Sequence, residues 1–574
     1  MNYKTTRRQF IKKTAHAGVF LGLTGNALMS KGCSTKKEYD ILISGAIVFD
    51  GAGNPGKEVD IALKGDKIIA IGSKLQKNKA FMVIEARDLA VAPGFIDAHS
   101  HTDYRLLINP KAESKIRQGV TTDIGGNCGG SLFPLSDSEF EEQKILLKNE
   151  YDFDLTWRDL NGFFNKLKEK GMALNFATLV GHGTIRSAII GPEDRTPSDN
   201  ELNLMKKAVR DNIQTGAVGM STGLFYAPGS FARKEEIIEL CRELVPFRSV
   251  YATHIRDEGD FLIESIDEAI TIAKEAQVSL QISHLKAQYP RNYSKIHTAL
   301  SKIEEARKEG VSVLADRYPY HASSTSLNSF FPRWSQQGTT DDFLKLLRDR
   351  TVEQKIRAHI KKQEEKIQSW ENVIISSVLT EKNRHLEGKS ILQGSTEAGK
   401  PCYEFIRDLL IEENNQVAMI NFSMSEDNLR LILAHPHVVI GSDGYALAPY
   451  GVLGKGKPHP RSYGTFVRVL GKYSREEKIL TLPQAIQKMT SLTAQKFGFA
   501  QRGLIKEGYF ADLVIFDPEK VIDKADWLNP HQYPAGIEYV IVNGQVVINR
   551  GEHTGTLPGR ILRNEAVSQQ PELI

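Results

Sequence analysis

Residues 91–101 read Val91-Ala92-Pro93-Gly94-Phe95-Ile96-Asp97-Ala98-His99-Ser100-His101, an apolar run that ends in two histidines one residue apart. Side chains of a strand alternate between its faces, so His99 and His101 share one face and both imidazoles can reach a single point. Seven further apolar runs follow, at residues 119–124, 173–180, 217–222, 249–254, 278–284, 311–320 and 437–443. Amphipathic helical patterns fall between them, for instance at 235–247, 261–275 and 294–308. Alternation of this kind marks βα units on a parallel sheet, and eight such runs predict an α/β fold, a TIM-like (β/α)8 barrel. A His-x-His pair alone is weak evidence of a metal site. Its weight here is positional, because the active sites of such barrels lie at the C-terminal ends of the strands. Run two leads into Asn127-Cys128-Gly129-Gly130, runs five and six end at His254 and His284, and run eight ends in Gly441-Ser442-Asp443-Gly444. Four of the 15 histidines, one cysteine and one aspartate thus gather at one predicted face.

Outward from the barrel, both ends of the chain change style. Short alternating pieces punctuated by glycine occupy residues 41–43, 46–49, 61–63 and 68–72, and again 511–517 and 539–547. Neither set is large enough to be stable alone. Residues 39–92 and 499–574 are therefore expected to form one small β-sandwich domain flanking a barrel over 93–498. Runs seven and eight are separated by residues 321–436, which include a charged helical stretch at 341–365. Such an insertion is expected over the barrel mouth, as a lid or substrate loop.

Composition narrows the function. The 574 residues are 41% hydrophobic and 25% charged, with a mean hydropathy of −0.32, which excludes a disordered or multi-span membrane protein. The formal charge is +4, but Lys4, Arg7, Arg8, Lys12, Lys13 and Lys31 all precede Cys33 without an acidic residue among them. The rest of the chain is slightly acidic, so a phosphate-neutralising surface is absent and nucleic-acid binding is not expected. Arg7 and Arg8, followed by a weakly apolar run from Ala15 to Met29, look like a twin-arginine export signal over residues 1–32, which directs the protein to the periplasm. That run is too short to span a bilayer. Ser30-Lys31-Gly32-Cys33 makes Cys33 a candidate for lipid attachment. Three cysteines remain, Cys128, Cys241 and Cys402, so at least one lies outside any intramolecular disulfide.

The motif Gly94-Phe95-Ile96-Asp97-Ala98-His99-Ser100-His101, opening a barrel between terminal β segments, resembles the metal-dependent amidohydrolase superfamily. More narrowly, the chain is similar to the D-aminoacylase family of N-acyl-D-amino-acid deacylases. The likeness rests on Gly126-Asn127-Cys128-Gly129, Gly181-His182-Gly183-Thr184, Gly219-Met220-Ser221-Thr222-Gly223-Leu224, Thr253-His254-Ile255-Arg256-Asp257-Glu258, Ser283-His284-Leu285-Lys286, Tyr318-Pro319-Tyr320 and His459-Pro460-Arg461 with Tyr463-Gly464-Thr465-Phe466. Pro530-His531-Gln532-Tyr533-Pro534 fits as well, and the similarity runs from about Tyr39 to Arg563.

The resemblance implies a Zn2+ ion held tightly by Cys128, His254 and His284, with His99 and His101 forming a second, weaker position that shares Cys128. Thiolate and imidazole donors suit zinc. It implies Asp443 as the catalytic residue, base toward water and then acid toward the departing nitrogen. It also implies a substrate that carries a carboxylate beside the scissile amide, for which Lys286 and Arg461 are the cationic candidates, with Tyr226 adding a hydroxyl and Ser323 lining the side-chain pocket. His182, Asp97, Asp257 and Glu258 are expected to support the site without ligating metal. Between Tyr318 and Phe331 no Arg or Lys stands ready for an acidic side chain, which favours neutral or apolar D-residues. Run four, 217–222, lacks the lysine that many cyclic-amide hydrolases of the superfamily carboxylate, so a dihydroorotase- or hydantoinase-like activity ranks second, beside cleavage of D-configured dipeptides.

Overall fold

The computed structural model describes residues 37–564; the expected export signal and Cys33 lie outside them. Both ends of the described chain meet in one nine-stranded sheet. Strand Leu513–Phe516 runs antiparallel to Ala90–Pro93, pairing Leu513 with Pro93, while Tyr39–Val48 carries the N-terminal hairpins on the other side. Ile41, Ile43, Ile61, Leu63, Ile515 and Ile541 from both ends share one apolar cluster. Burying such side chains stabilises by roughly 1.5–3 kcal/mol each, so each end supplies what the other lacks.

The central strands are parallel and fall into two arcs. One contains Phe95–Asp97, Val120–Gly125 and Asn175–Thr178. The other runs from Val180–Gly181 through Gly219–Gly223, Val250–His254, Ser279–Ile282 and Val313–Arg317 to Val438–Ile440. Backbone hydrogen bonds link the arcs at both ends: Val218 N–H to Thr178 O at 2.9 Å, and Asp443 N–H to His99 O at 2.7 Å. Almost every residue of these strands is buried, as expected where helices such as Leu262–Ala276 and Lys295–Lys308 cover a parallel sheet.

The opening run differs from its expected form. Residues 91–98 are not one strand: Ala90–Pro93 belongs to the terminal sheet and Phe95–Asp97 to the central one. Gly94 is the joint, because its N–H bonds to Asp512 O while a Cβ at this position would sit 2.2 Å from the Thr121 side chain. The expected helix at 235–247 ends earlier, at Arg242, and a short 3-10 turn at Val245–Phe247 with Pro246 inside it follows. Cys241 on that helix is fully buried, and Cys128, Cys241 and Cys402 are all free thiols.

The segment from His321 builds a unit of its own. Ser323–Ser326, Ala418–Asn421 and Val373–Ser377 form an antiparallel sheet, flanked by helices Thr340–Arg348, Glu353–Ile367 and Cys402–Glu412. Leu327, Phe343, Ile356, Trp370, Ile375 and Leu409 make its separate core. Its last helix, Glu426–Ala434, packs Leu429, Ile432 and Leu433 into the central core instead. Among the described residues no helix is long and apolar enough to cross a membrane.

Replacing Gly94 by valine is expected to cost about 1–3 kcal/mol of stability through this overpacking, measured as a lowered denaturation midpoint.

Candidate metal centre

Each side chain singled out at the strand ends reaches the same point. Donor atoms of His99, His101, Cys128 and Asp443 all lie within 4.8 Å of one another, as do those of Cys128, His254 and His284. Cys128 belongs to both groups. The loops that deliver these residues hold unusual backbone: Cys128 has φ +53°, His284 φ +36° and Asp443 φ +50°. Left-handed geometry is costly for residues with a Cβ and persists only where surroundings enforce it. At Cys128 the enforcement is visible. Gly129 N–H donates to Ser221 Oγ at 3.0 Å, Asn127 Nδ2 donates to Ile124 O at 2.9 Å, and a Cβ on Gly223 would meet Cys128 O at 2.1 Å.

The distances suit a tetrahedral ion. Zinc bonds of about 2.0–2.1 Å to nitrogen and 2.3 Å to sulfur require edges of about 3.3 Å between nitrogens and 3.6 Å between sulfur and nitrogen. His254 Nδ1 and His284 Nε2 stand 3.0 Å apart, and Cys128 Sγ lies 3.6 Å from His284 Nε2 and 3.3 Å from His99 Nε2. The far nitrogens of two of these rings face carboxylates, which aims the near lone pairs inward. Asp316 Oδ1 lies 3.1 Å from His99 Nδ1, and Glu258 Oε1 lies 2.9 Å from His284 Nδ1. The residues therefore fit a zinc ion by donor type and by spacing.

Electrostatics at the site are those of anions clustered among imidazoles. Burial alone would raise the Cys128 thiol, but the charge of His99 and hydrogen bonds from His101, His254 and His284 hold it well below the usual thiol range. Burial likewise opposes ionisation of Asp443, and Arg461, His99 and His101 overcome it, keeping the carboxyl well below its ordinary value. His101 is pushed up to about 10 against its own burial by Asp443 and Cys128.

The expected substrate groups line one cavity of about 890 Å³ together with His101, Cys128, His254, His284 and Asp443. Tyr226 places its hydroxyl 3.1 Å from Thr325 Oγ1 and its ring edge-on to His254. Ser323 opens the strand that follows. Arg461 is buried, pairs through Nη1 with Asp443 Oδ2 at 2.7 Å and lies over the Tyr318 ring. Lys286 differs from the expected free cation: it is buried, ion-paired with Glu258 and 2.8 Å from His284 Nδ1. Glu258 is correspondingly held below the usual carboxylate range, against burial, by Lys286, His254 and His284.

Of the other residues singled out, Asp257 caps the following turn through Gly259 N–H and Phe261 N–H. His182 is buried against Glu236, which also binds Arg186, and lies away from the ligand cluster. Asp97 accepts Ser442 N–H at 2.8 Å and Lys115 Nζ at 2.5 Å. Lys115, whose fully buried ammonium also donates to Ser442 Oγ, pins the first and last central strands just beneath His99 and Asp443. Sequence reading passes over Lys115 and Asp316, and it names Tyr318 only as part of a motif, with no role at the site. Asp316 carries a usable signal, an acid inside the apolar run seven, and in the structure it accepts hydrogen bonds from His284 N–H and Gln281 Nε2. Tyr318 brings to the Arg461 side a buried hydroxyl without a partner.

The sequence model described as "Amidohydrolase family" matches residues 82–548. A D-aminoacylase of Alcaligenes xylosoxydans xylosoxydans is 36% identical over 536 residues, covering 93% of this chain and 99% of that protein. The N-acyl-D-aspartate deacylase of the same organism is 35% identical, covering 93% and 98%. The crystal structure of N-acyl-D-glutamate deacylase from Bordetella bronchiseptica, complexed with zinc and a phosphonate mimic of the tetrahedral intermediate, superposes with a TM-score of 0.78 at 31% identity over 92% of this chain and 99% of that one.

Zinc uptake is expected to release protons, because His284 in the Cys128–His254–His284 group, and His99 and His101 in the other, carry raised pKa values and must give up protons to bind an ion. Apparent zinc affinity should therefore rise with pH between about 6 and 9, and titration in weak buffer should record the acid released.

Proposed function

The chain belongs to the amidohydrolase family, and from that membership we propose that it is a zinc-dependent deacylase that hydrolyses the amide of N-acyl-D-amino acids to a carboxylate and a free D-amino acid. The observation that carries this reading is the sharing of Cys128 by two histidine groups, beside Asp443 and Arg461, on the wall of one cavity. Cys128, His254 and His284 would hold one ion, and His99 and His101, sharing Cys128, a second and weaker one. When bound, the ion supplies Lewis acidity to the scissile carbonyl and acidifies the attacking water.

The chain's own groups do the rest. Asp443 takes the proton of the attacking water and passes it to the amide nitrogen as the C–N bond breaks. Arg461 neutralises Asp443 in the resting structure. A substrate carboxylate drawn to Arg461, with Tyr318 and Lys286 nearby, relieves Asp443 of that partner and raises its affinity for a proton when substrate is present. Tyr226 and Ser323 border the space left for the D-side chain. Near-equal identity to a protein named D-aminoacylase and one named N-acyl-D-aspartate deacylase leaves that side chain to the pocket itself. The hydroxyls and amides of Ser323, Ser324, Thr325 and Asn421 favour a neutral residue.

In the same reading the two arcs form one (β/α)8 barrel over 93–498 with the insertion at about 321–436, and the terminal sheet forms the β-sandwich of 39–92 and 499–574. The cross-arc hydrogen bonds support closure. Export by the twin-arginine route to the periplasm, with Cys33 as a point of lipid attachment, rests on Arg7, Arg8 and the residues before Cys33.

Zinc-loaded protein should release leucine from N-acetyl-D-leucine and not from the L-enantiomer. Asp443→Asn should lower kcat by about 10²–10⁴-fold with zinc content unchanged. Cleavage of neither enantiomer would sink the assignment and turn attention to cyclic amides and D-configured dipeptides.

A further inference from the structure

The cationic side chains on the cavity wall are not equivalent. Lys286 pairs with Glu258, Lys366 with Asp260, Arg384 with Glu381 and Arg461 with Asp443. Lys455 is exposed. Arg105, partly buried, has no ion pair among the described residues; its Nη1 donates to His101 O at 3.2 Å and its Nη2 to the Tyr151 hydroxyl at 3.1 Å. Its Nε is buried with no partner at all. Three aromatic rings hold the group in place, with the guanidinium carbon 4.0 Å from the Tyr445 centroid, 4.8 Å from Tyr104 and 5.7 Å from Tyr151. Two carboxylates share this wall without pairing with Arg105, namely Glu150 and Asp103, and the latter accepts Gly126 N–H at 3.0 Å.

A guanidinium stays charged at any accessible pH, and withdrawing it from water without an anion is unfavourable. Aromatic faces offset part of that cost but offer no acceptor for the Nε–H edge. Nη1 and Nη2 each keep a second N–H beyond those given to His101 O and the Tyr151 hydroxyl, and a carboxylate matches that pair of donors.

Its place decides which part of a substrate that anion belongs to. Asp443 touches Arg461 through Oδ2 and His101 through Oδ1 at 2.9 Å, and the backbone of His101 touches Arg105. Arg461 and Arg105 thus both reach the His101–Asp443 pair, Arg461 through the Asp443 carboxylate and Arg105 through the His101 carbonyl. With the α-carboxylate of the amino acid at Arg461 and its side chain toward Tyr226 and Ser323, the acyl substituent is the part of the substrate left for Arg105. Tyr445 stands 6.0 Å from the His101 ring and 4.0 Å from the Arg105 guanidinium carbon. A cavity of about 890 Å³ sits near the top of the roughly 300–1,000 Å³ range for small-molecule sites and is ample for an acyl group longer than acetyl.

We propose that Arg105 binds the far carboxylate of a dicarboxylic acyl group, so that the preferred substrates are D-amino acids N-acylated by a short dicarboxylic acid such as succinate. The inference rests on the deacylase reading of the same site. Water adds across the amide, its hydroxyl to the acyl carbon and its proton to the nitrogen, and the products are the dicarboxylate and the free D-amino acid.

The test compares N-succinyl-D-leucine, N-acetyl-D-leucine and N-acetyl-D-glutamate as substrates for the zinc-loaded full-length protein and for Arg105→Met and Arg105→Lys. It also measures succinate and acetate binding by calorimetry. Wild type should favour the succinyl over the acetyl substrate in kcat/KM by about tenfold or more, through KM, and bind succinate more tightly than acetate. Arg105→Met should abolish both preferences at normal zinc content, and Arg105→Lys should keep part of them. Equal treatment of the two acyl groups by wild type, or an unchanged ratio in Arg105→Met, overturns the proposal. A preference for N-acetyl-D-glutamate that vanishes in Arg105→Met also overturns it, assigning Arg105 to the amino-acid side chain. Succinate binding that depends on Arg105 without cleavage of any substrate would fault the deacylase reading and leave the anion site standing.

Discussion

The thiolate of Cys128 is the interaction on which the rest of the centre depends. An anion withdrawn from water on the wall of this cavity is tolerated only among cations or a metal. Four imidazoles converge on it from three strand ends, His99 and His101 from one and His254 and His284 from two others. Each must then be aimed, and Asp316 and Glu258 stand behind His99 and His284. These carboxylates need partners in turn, which explains why Lys286 is bound to Glu258 and why Gln281 turns toward Asp316. Local backbone distortion at Cys128, His284 and Asp443 is held in place by this set of mutual constraints.

The ligand residues were legible because strand ends and alternation fix them by simple rules. His99 and His101 share a face by periodicity, and Cys128, His254, His284 and Asp443 each follow an apolar run. The groups that support them were harder to see. Lys115 reads as one more lysine in a helical stretch, and nothing in its neighbours marks it as a fully buried cation joining two strands that are distant in sequence. Lys286 stands out two residues after His284, but its engagement with Glu258 depends on two adjacent loops meeting, which no local pattern records. The break at Gly94 leaves no local mark, because Pro93 and Phe95 are both apolar and extended; only the identity of the neighbouring strands assigns them to different sheets.

The inserted unit has its own core, yet it contributes to the site through a narrow front. Its strand Ser323–Ser326 faces Tyr226 through Thr325, and the Ser324 carbonyl approaches Arg461 at 3.4 Å. His459, which burial keeps well below the usual imidazole range, accepts Arg461 N–H and contacts Ala322 O, so one ring connects the carboxylate-binding side to the insert. Movement of this unit would therefore be felt at Arg461 directly, through two residues on either side of a shared ring.

The joint at Gly94 also has a bearing on synthesis. The strand that carries the first two histidines is anchored on one side by Asp512, Leu513 and the last segments of the chain, and Phe176 and Asn175 likewise bond to Arg560. A ribosome delivers these partners last. The nascent protein must hold five metal-seeking side chains in an unfinished frame until its final segments emerge, a non-local assembly of the kind that folds slowly. For a protein carrying this architecture, truncation near the C-terminus removes the support of an active site encoded hundreds of residues earlier.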